Sequence, residues 1–156
     1  MKPIFKLLIS IFIPLAVGGI SSYLTVPAIG GWYVTLNKPS FNPPNYLFGP
    51  VWTTLYTMMG IAFFLVWNSK LVTENKTSAF LFYWIQLFLN FMWSIVFFYY
   101  QNPGFALVVI VLMLIGIAAT MFSFKKLSKM AAWLLVPYIC WVAFATALNF
   151  ELWRLN

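Results

Sequence analysis

Histidine and aspartate are absent from this 156-residue chain, and its only acids are Glu74 and Glu151. Those absences exclude a Ser-His-Asp triad, a carboxylate pair within one apolar segment, and a histidine to ligate haem or shuttle protons. A single cysteine, Cys140, rules out an intrachain disulfide, and without a Cys/His cluster there is no zinc site. No metal and no cofactor are expected. Cys140 has no neighbouring base to make a thiolate and reads as an inert, buried thiol. Charge is scarce as well. Only 7% of residues are charged, against about a quarter in ordinary globular domains, so the chain has too little polar surface to face water. With 63% hydrophobic residues and a mean hydropathy of +0.92, it is an integral membrane protein.

Five segments have the roughly 20 apolar residues that crossing hydrocarbon requires, over 4–26, 50–68, 78–100, 105–124 and 130–153. The fold class expected is an all-α, five-helix membrane bundle forming one domain over 1–156. The first segment follows Lys2 and Lys6 like a signal peptide, but its apolar run is too long and no small-x-small cleavage site ends it, so it reads as a retained helix. Pro14 should kink it and Pro137 should bend the last segment. Gln101-Asn102-Pro103-Gly104 is a turn that divides the third segment from the fourth. The net charge of +7 is placed at segment ends and answers to anionic lipid rather than to nucleic acid. Lys2, Lys6, Lys70, Lys76, Lys125, Lys126 and Lys129 fall on one side, with only Lys38 and Arg154 on the other. In a bacterial cell membrane that bias puts the N-terminus in the cytoplasm and the C-terminus outside.

Between the first two helices lies a loop over 27–49, most of it within the stretch GWYVTLNKPSFNPPNYLFGPVWTTLY over 31–56. Pro39, Pro43, Pro44 and Pro50 push Lys38, Asn42 and Gly49 toward turns or extended backbone. Trp32, Tyr33, Leu36, Phe41, Tyr46, Leu47 and Phe48 make it too apolar for a solvated loop. It reads as a lid over a cavity in the bundle.

Polar side chains inside the spans should face the bundle or a cavity, because lipid tails offer no hydrogen bonds. Gln86, Asn90, Ser94 and Phe97 fall on one helical stripe, with Trp93 beside it. Trp52, Tyr56, Gly60 and Phe63 make a second inward face, and Trp141, Ala145 and Leu148/Asn149 a third. Indoles interleaved with amides and small residues suit a flat, largely apolar ligand. The same amides serve equally well as interhelical hydrogen-bond glue. Trp67, Trp84, Trp133 and Trp153 lie near span ends, where tryptophans belong to the interfacial belt. Gly18, Gly19, Ser21 and Ser22 form a small-residue face for close approach of a helix or ligand, and Gly116 and Thr120 are a candidate seam between two copies.

The blocks WYVTLNKPSFNPPNYLFGPVWTTLYTMMG, QLFLNFMWSIVFF and AAWLLVPYICWVAFATALNFELW together resemble the signature blocks of the translocator protein family, TspO/MBR. The resemblance extends over nearly the whole chain. It implies a five-helix bundle, often a homodimer, whose cavity beneath the first loop takes porphyrins, isoquinoline carboxamide and benzodiazepine drugs, and in some members cholesterol. It places ligand contacts at Tyr33, Trp52, Asn90, Trp93, Ser94, Trp141 and Ala145, and less strongly at Ser22 and Phe144. The family's cholesterol motif needs a central tyrosine, where this chain has Phe150, followed by Glu151.

The function expected is a membrane receptor or carrier for protoporphyrin IX-type ligands in tetrapyrrole homeostasis or stress signalling. The partners expected are that flat apolar ligand, membrane lipid and a second copy of the chain. No catalytic residue is assigned. An alternative is light- and oxygen-dependent porphyrin breakdown with Trp52 and Trp141 as radical participants, the ligand supplying the chemistry. Another is passive translocation of lipid, sterol or porphyrin, since no embedded charge is available for ion coupling.

Overall fold

The computed structural model describes residues 1–71 and 73–156. Val72, within the expected polar link 69–77, lies outside the described residues. Helix α1 spans Pro3–Gly30, α2 is the single turn Trp32–Thr35, and a 3₁₀ turn over Asn45–Leu47 runs into α3, Phe48–Trp67. Helix α4 covers Thr73–Ser94 and continues as a π turn, Ile95–Tyr99. Helix α5 covers Pro103–Leu127, and the last crossing is split into α6, Lys129–Leu134, and α7, Val136–Leu155. Five of these helical stretches are long and apolar enough to cross a bilayer, as expected.

Several boundaries move, each for a local reason. The first helix does not end before Pro27 but carries it inside, and the amide of Gly31 closes the last turn on the Pro27 carbonyl at 3.1 Å. Gly49 is helical rather than in a turn, because the 3₁₀ turn after Pro44 starts α3 early and leaves Pro50 in its first turn. The connection without helix therefore shrinks to about residues 36–44. Pro137 does more than bend the last crossing. It sits in the first turn of α7, just after the break at Leu135. At the other end of α4, the amide of Tyr100 reaches back five residues to the Ile95 carbonyl, at 3.0 Å. The turn that follows holds Gln101 at φ 51, and Asn102 Oδ1 accepts from the Phe105 amide to cap α5.

The helices close as a ring. Helix α1 packs on α3, α3 on α6, α5 on α6, α7 and α4, and α1 meets α4 and its π turn. Two glycines let neighbouring helices approach closely. A Cβ on Gly60 of α3 would stand 2.5 Å from Ile11 Cα and 2.6 Å from the Ser10 carbonyl oxygen. Pro14 explains why that carbonyl is available, since it has no N–H to return to residue i−4, which is Ser10. A Cβ on Gly116 of α5 would meet the Gln86 side chain of α4 at 3.2 Å. Gly116 and Thr120 are thus buried inside the subunit, with the Thr120 hydroxyl donating to the Gly116 carbonyl, and they are not a seam on its surface. Cys140 is likewise corrected. It faces outward from α7 rather than into the core.

Candidate functional site

The inward stripes of α3, α4 and α7 meet in one hydrogen-bonded relay. The Tyr56 hydroxyl donates to Asn90 Oδ1 at 2.6 Å, Asn90 Nδ2 donates to the Tyr138 hydroxyl at 2.9 Å, and that hydroxyl donates to Gln86 Oε1 at 2.8 Å. Each of these side chains is buried, and in hydrocarbon an unmatched amide is costly. Nearby, Trp93 Nε1 donates to Asn149 Oδ1 at 3.0 Å while Asn149 Nδ2 donates to the Pro103 carbonyl at 2.8 Å. The Asn90 amide and the Trp93 N–H are therefore committed to the protein.

Above this relay, toward the connection, α1 and α3 part around a cavity of about 410 Å³. Helix α1 contributes Gly18, Gly19, Ser21, Ser22 and Thr25; α3 contributes Phe48, Trp52, Thr53 and Tyr56. Helix α4 and its π turn add Trp93, Ser94 and Phe98, and the connection adds Tyr33 and Asn45. The π turn matters here, because it lies between Ser94 and Tyr100 and resets the face on which Phe98 falls. Among the described residues, no lysine, arginine or carboxylate lines this space. Gly18 is required by packing: a Cβ there would stand 2.4 Å from the Tyr56 ring. A Cβ on Gly19 would meet nothing within 4 Å.

A second space of about 30 Å³, little more than one water molecule, lies toward α7 among Trp141, Ala145, Leu148, Asn149 and Leu152. Tyr33, Phe48, Trp52, Trp93 and Phe98 line both spaces and form the partition between them. Within that partition the Trp52 ring lies 6.2 Å from Trp93 and 6.4 Å from Tyr138, and Phe48 lies 6.3 Å from Trp141. Trp141 Nε1 is buried without a hydrogen-bond partner.

Of the residues singled out in the sequence, Tyr33, Trp52, Trp93, Ser94 and Ser22 come together around the larger cavity. Trp141 and Ala145 line only the smaller one. Asn90 and Phe144 line neither; Asn90 is inside the relay, and Phe144 packs on Trp141 and on Phe41 of the connection. On the α1 wall, Gly18, Gly19, Ser21 and Ser22 are legible in the sequence as a face for close approach, whereas Thr25 of the same wall, Thr53 of α3 and Phe98 of the π turn carry no periodic signal of their own.

The connection is fastened at both ends of its free stretch. The Asn37 amide donates to Asn156 Oδ1 at 2.9 Å, and Asn156 Nδ2 donates back to the Asn37 carbonyl at 2.9 Å. Tyr33 is buried against Phe97 and Phe98 and donates its hydroxyl to Asn42 Oδ1 at 2.8 Å. Burial pushes the Tyr33 phenol up to about 12, against a smaller opposing effect of the Asn42 bond. Lys38 stands 4.8 Å over the Tyr33 ring and donates to the Leu36 carbonyl at 3.3 Å. Phe41 and Tyr46 point outward. At the end of α7 the Arg154 guanidinium is paired with Glu151 at 2.6 Å, beside an exposed Phe150.

Comparison with known proteins agrees with the architecture. The family model described as TspO/MBR family matches residues 10–154. The chain is 42% identical to a tryptophan-rich protein TspO of Archaeoglobus fulgidus, over 98% of each chain. It is 45% identical to a tryptophan-rich protein TspO of Chlorobaculum tepidum, over 99% of this chain and 98% of the relative. The human translocator protein is 43% identical over 80% of this chain and 75% of its own.

Proposed function

Because the chain belongs to the TspO/MBR family and is a multi-pass integral membrane protein, we propose that it is a membrane receptor or carrier holding a flat, largely apolar ligand of the porphyrin type. The observation that carries this reading is the cavity of about 410 Å³ walled by Trp52, Trp93, Tyr33 and Phe98. Its volume is within the range of pockets that enclose a drug-sized ligand, and its aromatic walls suit stacking more than hydrogen bonding. Isoquinoline carboxamide and benzodiazepine ligands have the same flat, uncharged character and belong to the same site. The relatives named translocator protein and tryptophan-rich sensory protein support movement or sensing of the ligand as the use of that binding. The lysine-rich end of the bundle is assigned to the cytoplasm of a bacterial cell, which leaves the connection and the cavity on the outer side.

The ligand lies against Trp52, with Trp141 behind the partition. Protoporphyrin IX titrated in the dark into protein in phosphatidylcholine nanodiscs should quench tryptophan emission saturably. Trp52→Ala should weaken that affinity by about tenfold or more, as loss of a central aromatic anchor does. Trp133→Ala, at a side chain 71% exposed, should leave affinity unchanged. Equal effects of the two substitutions would mean that the porphyrin dissolves around the bundle and not in it.

A further inference from the structure

The cations of this chain differ in whether the protein itself uses them. At the end that carries the connection both are engaged, Lys38 with the Leu36 carbonyl and the Tyr33 ring, and Arg154 with Glu151. At the lysine-rich end, Lys6 stands 5.6 Å over the Trp67 ring, and Lys76 donates to the Trp67 carbonyl at 3.3 Å and to the Ser69 carbonyl, closing the end of α3. Lys2, Lys70, Lys125, Lys126 and Lys129 are exposed and, among the described residues, have no hydrogen bond, ion pair or ring contact. The acid of that end, Glu74 in the first turn of α4, is also exposed and pairs with none of them.

Three of these free lysines are gathered at one corner. Only Ser128 separates α5 from α6; its backbone is extended, at φ -157 and ψ 113, and its hydroxyl accepts from the Ala131 amide at 3.2 Å, so the chain turns and restarts a helix at once. Phe124, Leu127, Ala131 and Ala132 are buried, which leaves Lys125, Lys126 and Lys129 on the outside of the corner. Each arm of the corner then carries a bare ring further in: Phe122 on α5, 72% exposed, and Trp133 on α6, 71% exposed. These rings lie one turn, about 6 Å along the helix, from Lys126 and Lys129.

Ammonium groups at the rim with uncovered rings one turn deeper match the two parts of a phospholipid, headgroup outward and acyl chains inward. Positive charge with no acid to balance it matches an anionic headgroup. A soluble polyanion would meet the lysines and leave the rings bare.

We infer that the corner between α5 and α6 is a binding surface for an anionic phospholipid, with the phosphate at Lys125, Lys126 and Lys129 and the acyl chains along Phe122 and Trp133. The surface is separate from the cavity and does not depend on what the cavity holds.

The test places the protein in phosphatidylcholine nanodiscs containing a minor fraction of phosphatidylglycerol or phosphatidylcholine with brominated acyl chains, which quench nearby indoles. The part of the emission that is lost in Trp133→Phe reports this corner. Half-quenching of that part should need about fivefold less brominated phosphatidylglycerol than brominated phosphatidylcholine, and salt at about 1 M should remove the difference. Replacing Lys125, Lys126 and Lys129 together by glutamine should bring the two lipids level, whereas replacing them by arginine should keep the preference and so separates charge from fold. Lys2→Gln with Lys70→Gln, which removes two free cations of the same end, should leave the preference unchanged. Equal quenching by the two lipids in the wild type, or a preference that survives high salt, would overturn the inference without need of any variant. A preference lowered as much by the Lys2 and Lys70 pair as by the three corner lysines would show diffuse charge in place of a site, and would overturn it as well.

Discussion

Tyr33 shows how one side chain joins the connection to the cavity wall. Its ring lines the cavity and its hydroxyl holds Asn42, so the same residue shapes the site and fixes the segment above it. Tyr33→Phe should cost about 1 kcal/mol of stability through that hydrogen bond alone. The phenol is raised to about 12 from an ordinary 10, so the folded state favours the protonated form. That contribution is complete below pH about 10 and is lost as pH rises toward about 12. The wild type should therefore exceed Tyr33→Phe in thermal stability by a constant margin up to pH about 10 and lose that margin above it, as ionisation favours the unfolded chain. A wild-type margin that widens above pH about 10 would contradict the assigned sign.

At the scale of helices, the seam between α1 and α3 does two jobs. Near Gly60 it leaves no room for a Cβ, with the Ser10 carbonyl freed by Pro14 facing the glycine, and near Gly18 and Gly19 it opens into the cavity. The neighbours of a Cβ on Gly60 are backbone atoms of α1, which cannot rotate away. Gly60→Ala should accordingly displace α1 and cost about 1–3 kcal/mol, measured as a lowered melting temperature in lipid. Gly19→Ala, with open space at its Cβ, should leave stability unchanged, and equal losses at the two positions would show that the tight seam is not at Gly60.

The elements also show what was legible in the sequence. The five crossings follow from runs of apolar residues, and the stripe Gln86, Asn90, Ser94 and Phe97 from a period of 3.6, because both depend only on local spacing. What spacing does not contain is the partner of each polar group. Asn90 reads equally well as a ligand contact or as glue, and only the meeting of Tyr56, Tyr138 and Gln86 around it shows where its amide goes. Pro27 sits inside α1 for a similar reason, since a proline breaks a helix in isolation but is tolerated where the next turn can still close. The burial of Gly116 and the exposure of Cys140 are rotational facts about α5 and α7 that one sequence with broad apolar faces leaves undetermined.

For the whole molecule, a ring of helices encloses a rigid polar relay at its centre and an uncharged aromatic cavity beside it, toward the connection. The relay fixes α3, α4 and α7 to one another, while α1 closes the remaining side with small residues that line the cavity. On the function proposed above, binding takes place within the membrane itself. Among the described residues, the lysines at the opposite end take no part in the cavity.

The most direct test of this account is an experimental structure of the protein in lipid with protoporphyrin IX bound. The ring should lie between Gly18 and Gly19 of α1 and Trp52 of α3, with the Asn90 relay undisturbed. A porphyrin found on the outer surface of the bundle, between two copies of the chain, or inserted among Gln86, Asn90 and Tyr138 would contradict it.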